Sequence, residues 1–148
     1  MKILLAVDDS KPSEAAVQAV INHGRPQDVE VQVIHVVEPA TLLVSREMGA
    51  YNQELGAVWE AETKQAEELV TRTANELRSK NLKVTTTVEQ GDPKSKIIEA
   101  ASKWHADLIV VGSHGRKGLD HFLLGSVSEA VARHAGCSVE IVRVPRKR

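Results

Sequence analysis

The residues best suited to chemistry lie in a glycine-punctuated loop near the C-terminal end of the chain. A strand-like run from Asp107 to Val111 leads into Gly112-Ser113-His114-Gly115, and nine residues then separate Gly115 from Gly125-Ser126. Gly112 and Gly115 let the backbone approach an anion with no Cβ in the way. Gly125-Ser126 opens a helix, whose free N–H groups favour a negative ligand. The pattern predicts a phosphate cradle; the alternative is a connection that uses glycines only for turn geometry.

The elements that must position this loop alternate between strand and helix. Short, β-branched or continuous apolar runs predict five strands, and periodic apolar positions with capping residues predict the helices between them. The strands are expected at Ile3 to Val7, Val29 to Val37, Leu82 to Glu89, Asp107 to Val111 and Val139 to Val144. The helices are expected after the cap Ser10, from Gln53 to Lys80, from Pro93 to Trp104 after the cap Asp92, and from Gly125 to His134.

This alternation predicts an α/β fold, an open five-stranded parallel sheet with helices on both faces. We expect a strand order of 3-2-1-4-5, in which the first and fourth strands flank the switch point. Ligands bind such sheets at the carboxyl ends of the strands, where the chain direction around the sheet reverses. Asp8, Val36 and Gly112 all lie at such ends. The fold prediction and the glycine motif therefore indicate the same place.

Composition restricts the function further. The 148 residues fit one domain, 1–148, and the net charge of −1 gives no general attraction to nucleic acid or to an anionic membrane. No apolar run has the length of a membrane helix, and the N-terminal run is too short for a signal peptide, so we expect a cytoplasmic protein. The single cysteine, Cys137, suits a reducing compartment and is expected to be a small buried residue rather than a nucleophile.

The chain resembles the universal stress proteins along nearly all of its length. The glycine pattern followed by Gly-Ser is typical of the nucleotide-binding members of that family. The opening Lys2 to Ser10, the pair His35-Val36, and the stretch Leu123 to Glu129 are similar to further family segments, as are Arg133-His134-Ala135 and Cys137-Ser138-Val139. Ser138 departs from the pattern, because many members have proline there, and Glu140 is unusually polar for the last strand. The family's fold is Rossmann-like, of the adenine nucleotide alpha-hydrolase type.

The resemblance implies a homodimer that binds ATP, AMP or another adenylate, with Mg²⁺ accompanying ATP. Asp8 would lie near the ribose and phosphates or hold Mg²⁺ through water, and Val36 would meet the adenine. Dimers would pair through the last strand, Val139 to Val144. The implied nucleotide-binding residues are Ala6, Val7, Asp8, Val36, Gly112, Ser113, His114, Gly115, Arg116, Gly125, Ser126 and Val127. No catalytic residue is assigned, and any ATP hydrolysis is expected to be slow.

Other functions fit the residues less well. A signalling receiver domain would explain the acids Asp8-Asp9 but needs an acid after its third strand and a lysine after its fifth. A dinucleotide oxidoreductase or an adenylating enzyme needs glycines after the first strand, where Asp8 to Pro12 has none. A nucleotide-free dimeric interaction module of the same fold stays open. The long connection from Glu38 to about Asn52 is either functional or a mobile surface loop.

Overall fold

The computed structural model describes residues 1–39, 52–115 and 123–145. Each predicted strand and helix is present in these residues. The strands are β1 (Lys2–Ala6), β2 (Glu30–Val37), β3 (Lys83–Gln90), β4 (Leu108–Gly112) and β5 (Ser138–Val142), and the helices are α1 (Lys11–Ile21), α2 (Asn52–Arg78), α3 (Pro93–Trp104) and α4 (Ser126–His134). A 3₁₀ turn at Pro26–Asp28 precedes β2.

The five strands form one parallel sheet in the order β3-β2-β1-β4-β5, as predicted. β1 lies in the centre, with Leu5 paired to Val33 of β2 on one side and to Val110 of β4 on the other. Ile3, Leu4 and Leu5 are fully buried, which explains why β1 is a continuous apolar run rather than an alternating one. The half-exposed β3 lies at an edge of the sheet, as its alternating sequence indicates.

Helices cover both faces of the sheet and divide the core into two clusters. α1 and α2 pack on one face, where Val17 and Leu77 meet Leu5 and Val7 of the central strand region. α3 and α4 pack on the other, where Ile97 and Val131 share a cluster with Ala6 and other strand residues. The side chains of successive strand residues point to opposite faces, so Ala6 and Val7 belong to different clusters.

The last strand differs from the prediction. It runs from Ser138 to Val142, and Val144 lies beyond its end. The physical reason is its neighbour: Val142 pairs with Gly112, the last residue of β4, so no strand remains beside the residues that follow. The Ser113 N–H donates to the Val142 oxygen at 2.8 Å, which is the last backbone hydrogen bond between the β4 segment and β5 in the described residues. Most of the predicted connection from Glu38 to Asn52 lies outside the described residues.

Candidate functional site

The carboxyl ends of β1 and β4 meet at the centre of one edge of the sheet. Ala6 pairs with Val111 in β4 and with Ile34 in β2. Beyond this point β1 turns into α1 on one face, whereas β4 continues into the loop that leads to α4 on the other. This divergence is the switch point at which open α/β sheets bind ligands.

Asp8 is fixed by the turn that joins β1 to α1. Its Oδ1 accepts a hydrogen bond from the Ser10 N–H at 2.8 Å, and its own N–H donates to Ser13 Oγ at 2.9 Å. Ser13 is buried, with 4% of its surface exposed. The other carboxylate oxygen, Oδ2, faces Gly115. Asp8 therefore holds one oxygen for its own turn and presents the other toward the loop after β4.

Two glycines bring that loop against the β1–α1 turn. A Cβ on Gly115 would lie 2.7 Å from Asp8 Oδ2, and a Cβ on Gly112 would lie 2.8 Å from the carbonyl carbon of Pro12 in α1. Real Cβ atoms essentially never approach other heavy atoms so closely, so a side chain at Gly112 would press on the Pro12 backbone and one at Gly115 would displace the Asp8 carboxylate. The loop Gly112–Gly115 thus packs against the β1–α1 turn, with Gly115 close to the Asp8 carboxylate.

A third glycine brings the start of α4 to the same surface. The Gly125 N–H donates to the Ser113 oxygen at 2.7 Å, and a Cβ on Gly125 would lie 2.9 Å from the Cα of His114. Gly125 is the N-cap of α4 and, as a glycine, makes no side-chain capping hydrogen bond. Ser126, the first helical residue, is exposed. The first turn of α4 therefore begins beside the glycine loop with an exposed hydroxyl and uncapped backbone donors.

The side chains of the loop itself are polar and partly enclosed. Ser113 is almost fully buried, and its Oγ lies 3.0 Å from Nδ1 of the half-buried His114. Which of these two atoms donates depends on the imidazole tautomer. The next predicted contact, Arg116, lies outside the described residues.

The apolar residues among the predicted nucleotide contacts, of which Val36 was expected to meet the adenine, divide between the two faces of the sheet. Ala6 and Val36 belong to the cluster under α3 and α4, and Val127 packs against that cluster. The side chain of Val7 lies on the opposite face with α1. The Val7 N–H donates to the Ile34 oxygen at 2.9 Å, and the Val7 oxygen lies 2.6 Å from Nδ1 of His35. The structure thus groups Ala6, Val36 and Val127, and separates the Val7 side chain from them.

Neither metal chemistry nor cysteine chemistry stands out in the described residues. No group of three or more His, Cys, Asp and Glu side chains there is arranged to hold a metal ion. Burial raises the pKa of the Cys137 thiol, and the Asp107 carboxylate raises it further. A raised thiol pKa disfavours the nucleophilic thiolate, as expected, but Cys137 is only partly buried and not the buried residue that the sequence predicted.

Sequence reasoning did not assign roles to three polar residues that shape the site. Ser13 accepts from the Asp8 N–H, His35 contacts the Val7 oxygen, and the buried Ser128 donates to the Ser113 oxygen at 2.7 Å. For Ser13 a local signal exists, because it lies three residues after the cap Ser10. The partners of His35 and Ser128 are distant in the chain, so their bonds have no signature in a single sequence.

Comparison with known proteins decides the family. A family model described as the universal stress protein family matches residues 1–143. The chain belongs to the universal stress protein family. It is 34% identical over 146 residues to Universal stress protein MJ0531 of Methanocaldococcus jannaschii, covering 99% of this chain and 84% of that protein. It is 30% identical over 145 residues to YxiE of Bacillus subtilis, covering 96% and 98% of the two chains.

Solved structures of similar proteins show the same fold. Hypothetical protein MJ0577 superposes on this universal stress protein with a TM-score of 0.87 at 27% identity, over 99% of this chain and 97% of that one. Two structures with lower sequence identity contain nucleotides. A universal stress protein in complex with cAMP has a TM-score of 0.67 at 19% identity, over 97% of this chain and 96% of that one. Arabidopsis thaliana At3g01520 with AMP bound has a TM-score of 0.66 at 21% identity, over 98% of this chain and 92% of that one. In the described residues, no helix is long and apolar enough to cross a membrane.

Proposed function

We propose that this universal stress protein binds an adenine nucleotide, ATP foremost, at the carboxyl ends of β1 and β4. The observation that carries the proposal is the contact between Gly115 and the Asp8 carboxylate beside the uncapped first turn of α4. A carboxylate, a glycine loop and a helix N-terminus together match the needs of a phosphate with an associated cation. The cAMP and AMP found in two proteins of the same fold support the adenylate class.

The phosphates would lie against the first turn of α4. The Ser126 hydroxyl and the backbone N–H groups of Ser126 and Val127 are the donors, and the backbone of Gly112–Gly115 forms the opposite wall. His114 and Arg116 would add donors for phosphate charge. Helix N-termini bind anions because their first N–H groups have no partner within the helix and carry the positive end of its dipole.

Asp8 fits Mg²⁺ that arrives with ATP rather than a resident metal. One carboxylate oxygen is engaged with the Ser10 N–H, which leaves Oδ2 for a water of the ion. Mg²⁺ keeps several waters and is commonly held by one or two carboxylates together with substrate phosphates. The chain would thus supply a single acidic group and the nucleotide the rest.

The adenine and ribose would lie on the face of the sheet that α3 and α4 cover, at the carboxyl ends of the strands. Ala6 and Val36 are buried there next to Val127, which suits a flat apolar base. Val7 would take part only through its backbone, because its side chain is on the other face.

We also propose how the bound nucleotide acts. Residues 1–148 would function as one cytoplasmic domain that forms a homodimer through the last strand, β5, whose free edge otherwise needs protection. Binding rather than turnover would be the output, with at most slow hydrolysis. ATP would act on the dimer surface or on the connection between residues 38 and 52 by binding one of two states more tightly.

A nucleotide-free interaction module is the second candidate. One specific observation favours it: each glycine of the motif already has a neighbour within the protein, since Gly112 faces Pro12, Gly115 faces Asp8 and Gly125 faces His114. Chain packing alone therefore accounts for the glycine spacing without any ligand.

Calorimetric titration of Mg-ATP into nucleotide-stripped protein separates these functions. Wild type is expected to bind in the micromolar range, and Gly115→Val is expected to abolish binding because its side chain would displace the Asp8 carboxylate. Gly136→Val is the matched control, because a Cβ at Gly136 meets no atom within 4 Å. Correctly folded wild type that binds neither ATP nor AMP would leave the interaction module as the function.

A further inference from the structure

Three buried serine hydroxyl groups lie at the cradle, where the glycine loop after β4 meets the start of α4 and the β1–α1 turn. In the described part of the chain the buried polar side chains are Ser13, Thr73, Ser113 and Ser128. The Ser13 hydroxyl accepts from the Asp8 N–H, the Ser128 hydroxyl donates to the Ser113 carbonyl oxygen, and the Ser113 hydroxyl lies beside His114 Nδ1. Burying a hydroxyl is unfavourable unless it is hydrogen-bonded, so the partners of these groups show which parts of the backbone they hold.

Ser128 joins the two backbone segments of the cradle. Its Oγ lies 2.7 Å from the Ser113 oxygen and 3.0 Å from the Gly125 oxygen, so its single hydrogen can donate to either carbonyl, and the Ser113 oxygen is the nearer. The Ser113 oxygen also accepts from the Gly125 N–H at 2.7 Å. The Ser113 carbonyl thus faces two donors from the start of α4, which lie fifteen and twelve positions away in sequence.

We propose that Ser128 is a positioning residue for the cradle, which holds the glycine loop against the first turn of α4. This inference rests on the proposed nucleotide function. Ser128 is 1% exposed, so it acts through the Ser113 carbonyl rather than on a ligand. By fixing the distance between the loop and the first turn of α4, it sets the spacing of the N–H groups that would meet successive phosphates.

The effect should depend on the phosphates. Ser128→Ala removes one donor from a buried carbonyl and is expected to weaken Mg-ATP binding about tenfold. Adenosine, which has no phosphate, should bind the variant as it binds wild type. A variant that had merely lost stability would bind both ligands equally well once folded, so the ratio of the two dissociation constants is the informative quantity.

Two further variants isolate the long-range bond. Ser128→Thr keeps the hydroxyl and should restore Mg-ATP binding to near the wild-type value. Ser79→Ala is the matched control, because Ser79 Oγ also donates to the carbonyl three residues earlier, at 2.6 Å from the Glu76 oxygen, but joins no distant segment. Ser79→Ala should leave both dissociation constants unchanged.

Hydrogen exchange tests the positioning role without any ligand. The Gly125 amide, bonded to the Ser113 oxygen, should exchange roughly tenfold faster in Ser128→Ala. Wild type that fails to bind Mg-ATP, with this acceleration present, would refute the nucleotide function and leave the positioning role intact. Unchanged Gly125 exchange in Ser128→Ala, or equal losses for ATP and adenosine, would overturn the positioning role.

Discussion

The helices α1 and α4 both begin at the carboxyl edge of the sheet, after β1 and β4, but their first turns are satisfied differently. At α1 the Ser10 hydroxyl accepts from the Ser13 N–H, and Asp8 accepts from the Ser10 N–H. At α4 the N-cap is Gly125, which has no side chain with which to make such a bond. The cap side chain of α1 thus bonds a donor of its first turn, whereas the cap residue of α4 cannot, which suits α4 to an external acceptor.

The start of α3 resembles that of α1 and not that of α4. α3 follows β3 and is capped by Asp92, whose Oδ2 accepts from the Ser95 N–H at 3.3 Å. Ser10 and Asp92 are good caps and Gly125 has no side chain with which to cap. Gly125 must nevertheless be a glycine, because a Cβ there would meet the backbone of His114. The close approach of loop and helix therefore both excludes a capping side chain and positions the free N–H groups.

The largest expected effect concerns the α1 side. Gly112→Ala would place a Cβ 2.8 Å from the Pro12 backbone, which cannot yield as a flexible side chain can. We expect a loss of about 1–3 kcal/mol in the free energy of unfolding, measured by urea denaturation. Gly136→Ala, with no neighbour within 4 Å, should change stability by less than about 0.5 kcal/mol. Equal stabilities for the two variants would show that the loop does not press against α1.

The charge of Asp8 is expected to matter for magnesium and little for the turn. Asp8→Asn keeps the oxygen that accepts from the Ser10 N–H but removes the carboxylate charge facing Gly115. Titration of ATP with and without Mg²⁺ should show that the variant loses roughly tenfold in Mg-ATP affinity and little in metal-free ATP affinity. A variant in which both affinities fall together would exclude Asp8 as the group that meets the ion.

Removing a serine hydroxyl should lower the stability of the protein at the start of α1 but weaken nucleotide binding at the start of α4. Ser10→Ala removes the cap of α1 and should cost about 1 kcal/mol in the free energy of unfolding. Ser126→Ala removes an exposed hydroxyl at α4 and should change stability by less than about 0.5 kcal/mol while weakening Mg-ATP severalfold. Chemical denaturation measures the stability of both variants, and calorimetry measures their affinity for Mg-ATP. A stability loss for Ser126→Ala equal to that for Ser10→Ala would remove the contrast between the helices.

The smallest effect is electrostatic. Glu129 lies in the first turn of α4 and pairs with Arg133 at 3.1 Å on the exposed surface. Its charge opposes a phosphate at the same helix start, so Glu129→Gln should tighten Mg-ATP binding about twofold at low salt. The gain should vanish near 1 M salt, where the screening length is about 3 Å. A gain that persists at high salt would indicate a contact rather than a charge effect.

Local sequence patterns were enough for the fold but only for part of the site. The apolar run of β1, the caps Ser10 and Asp92, and the alternation of β3 each reflect the immediate environment of their own residues, so they could be predicted. The end of β5 at Val142 depends on the partner strand ending at Gly112. The bond from Ser128 to Ser113 likewise depends on how distant segments pack. Neither is encoded in a local pattern.

The most direct test is an amide NMR titration that compares Mg-ATP with adenosine. We expect the amides of Gly115, Ser126 and Val127 to shift on addition of Mg-ATP and not of adenosine. The amide of Ser13, which is already bonded to Ser10 at the start of α1, should move little with either ligand. Phosphate-dependent shifts at Ser13 without shifts at Ser126 and Val127, or no shifts at either helix start, would contradict the claim that α4 receives the phosphates.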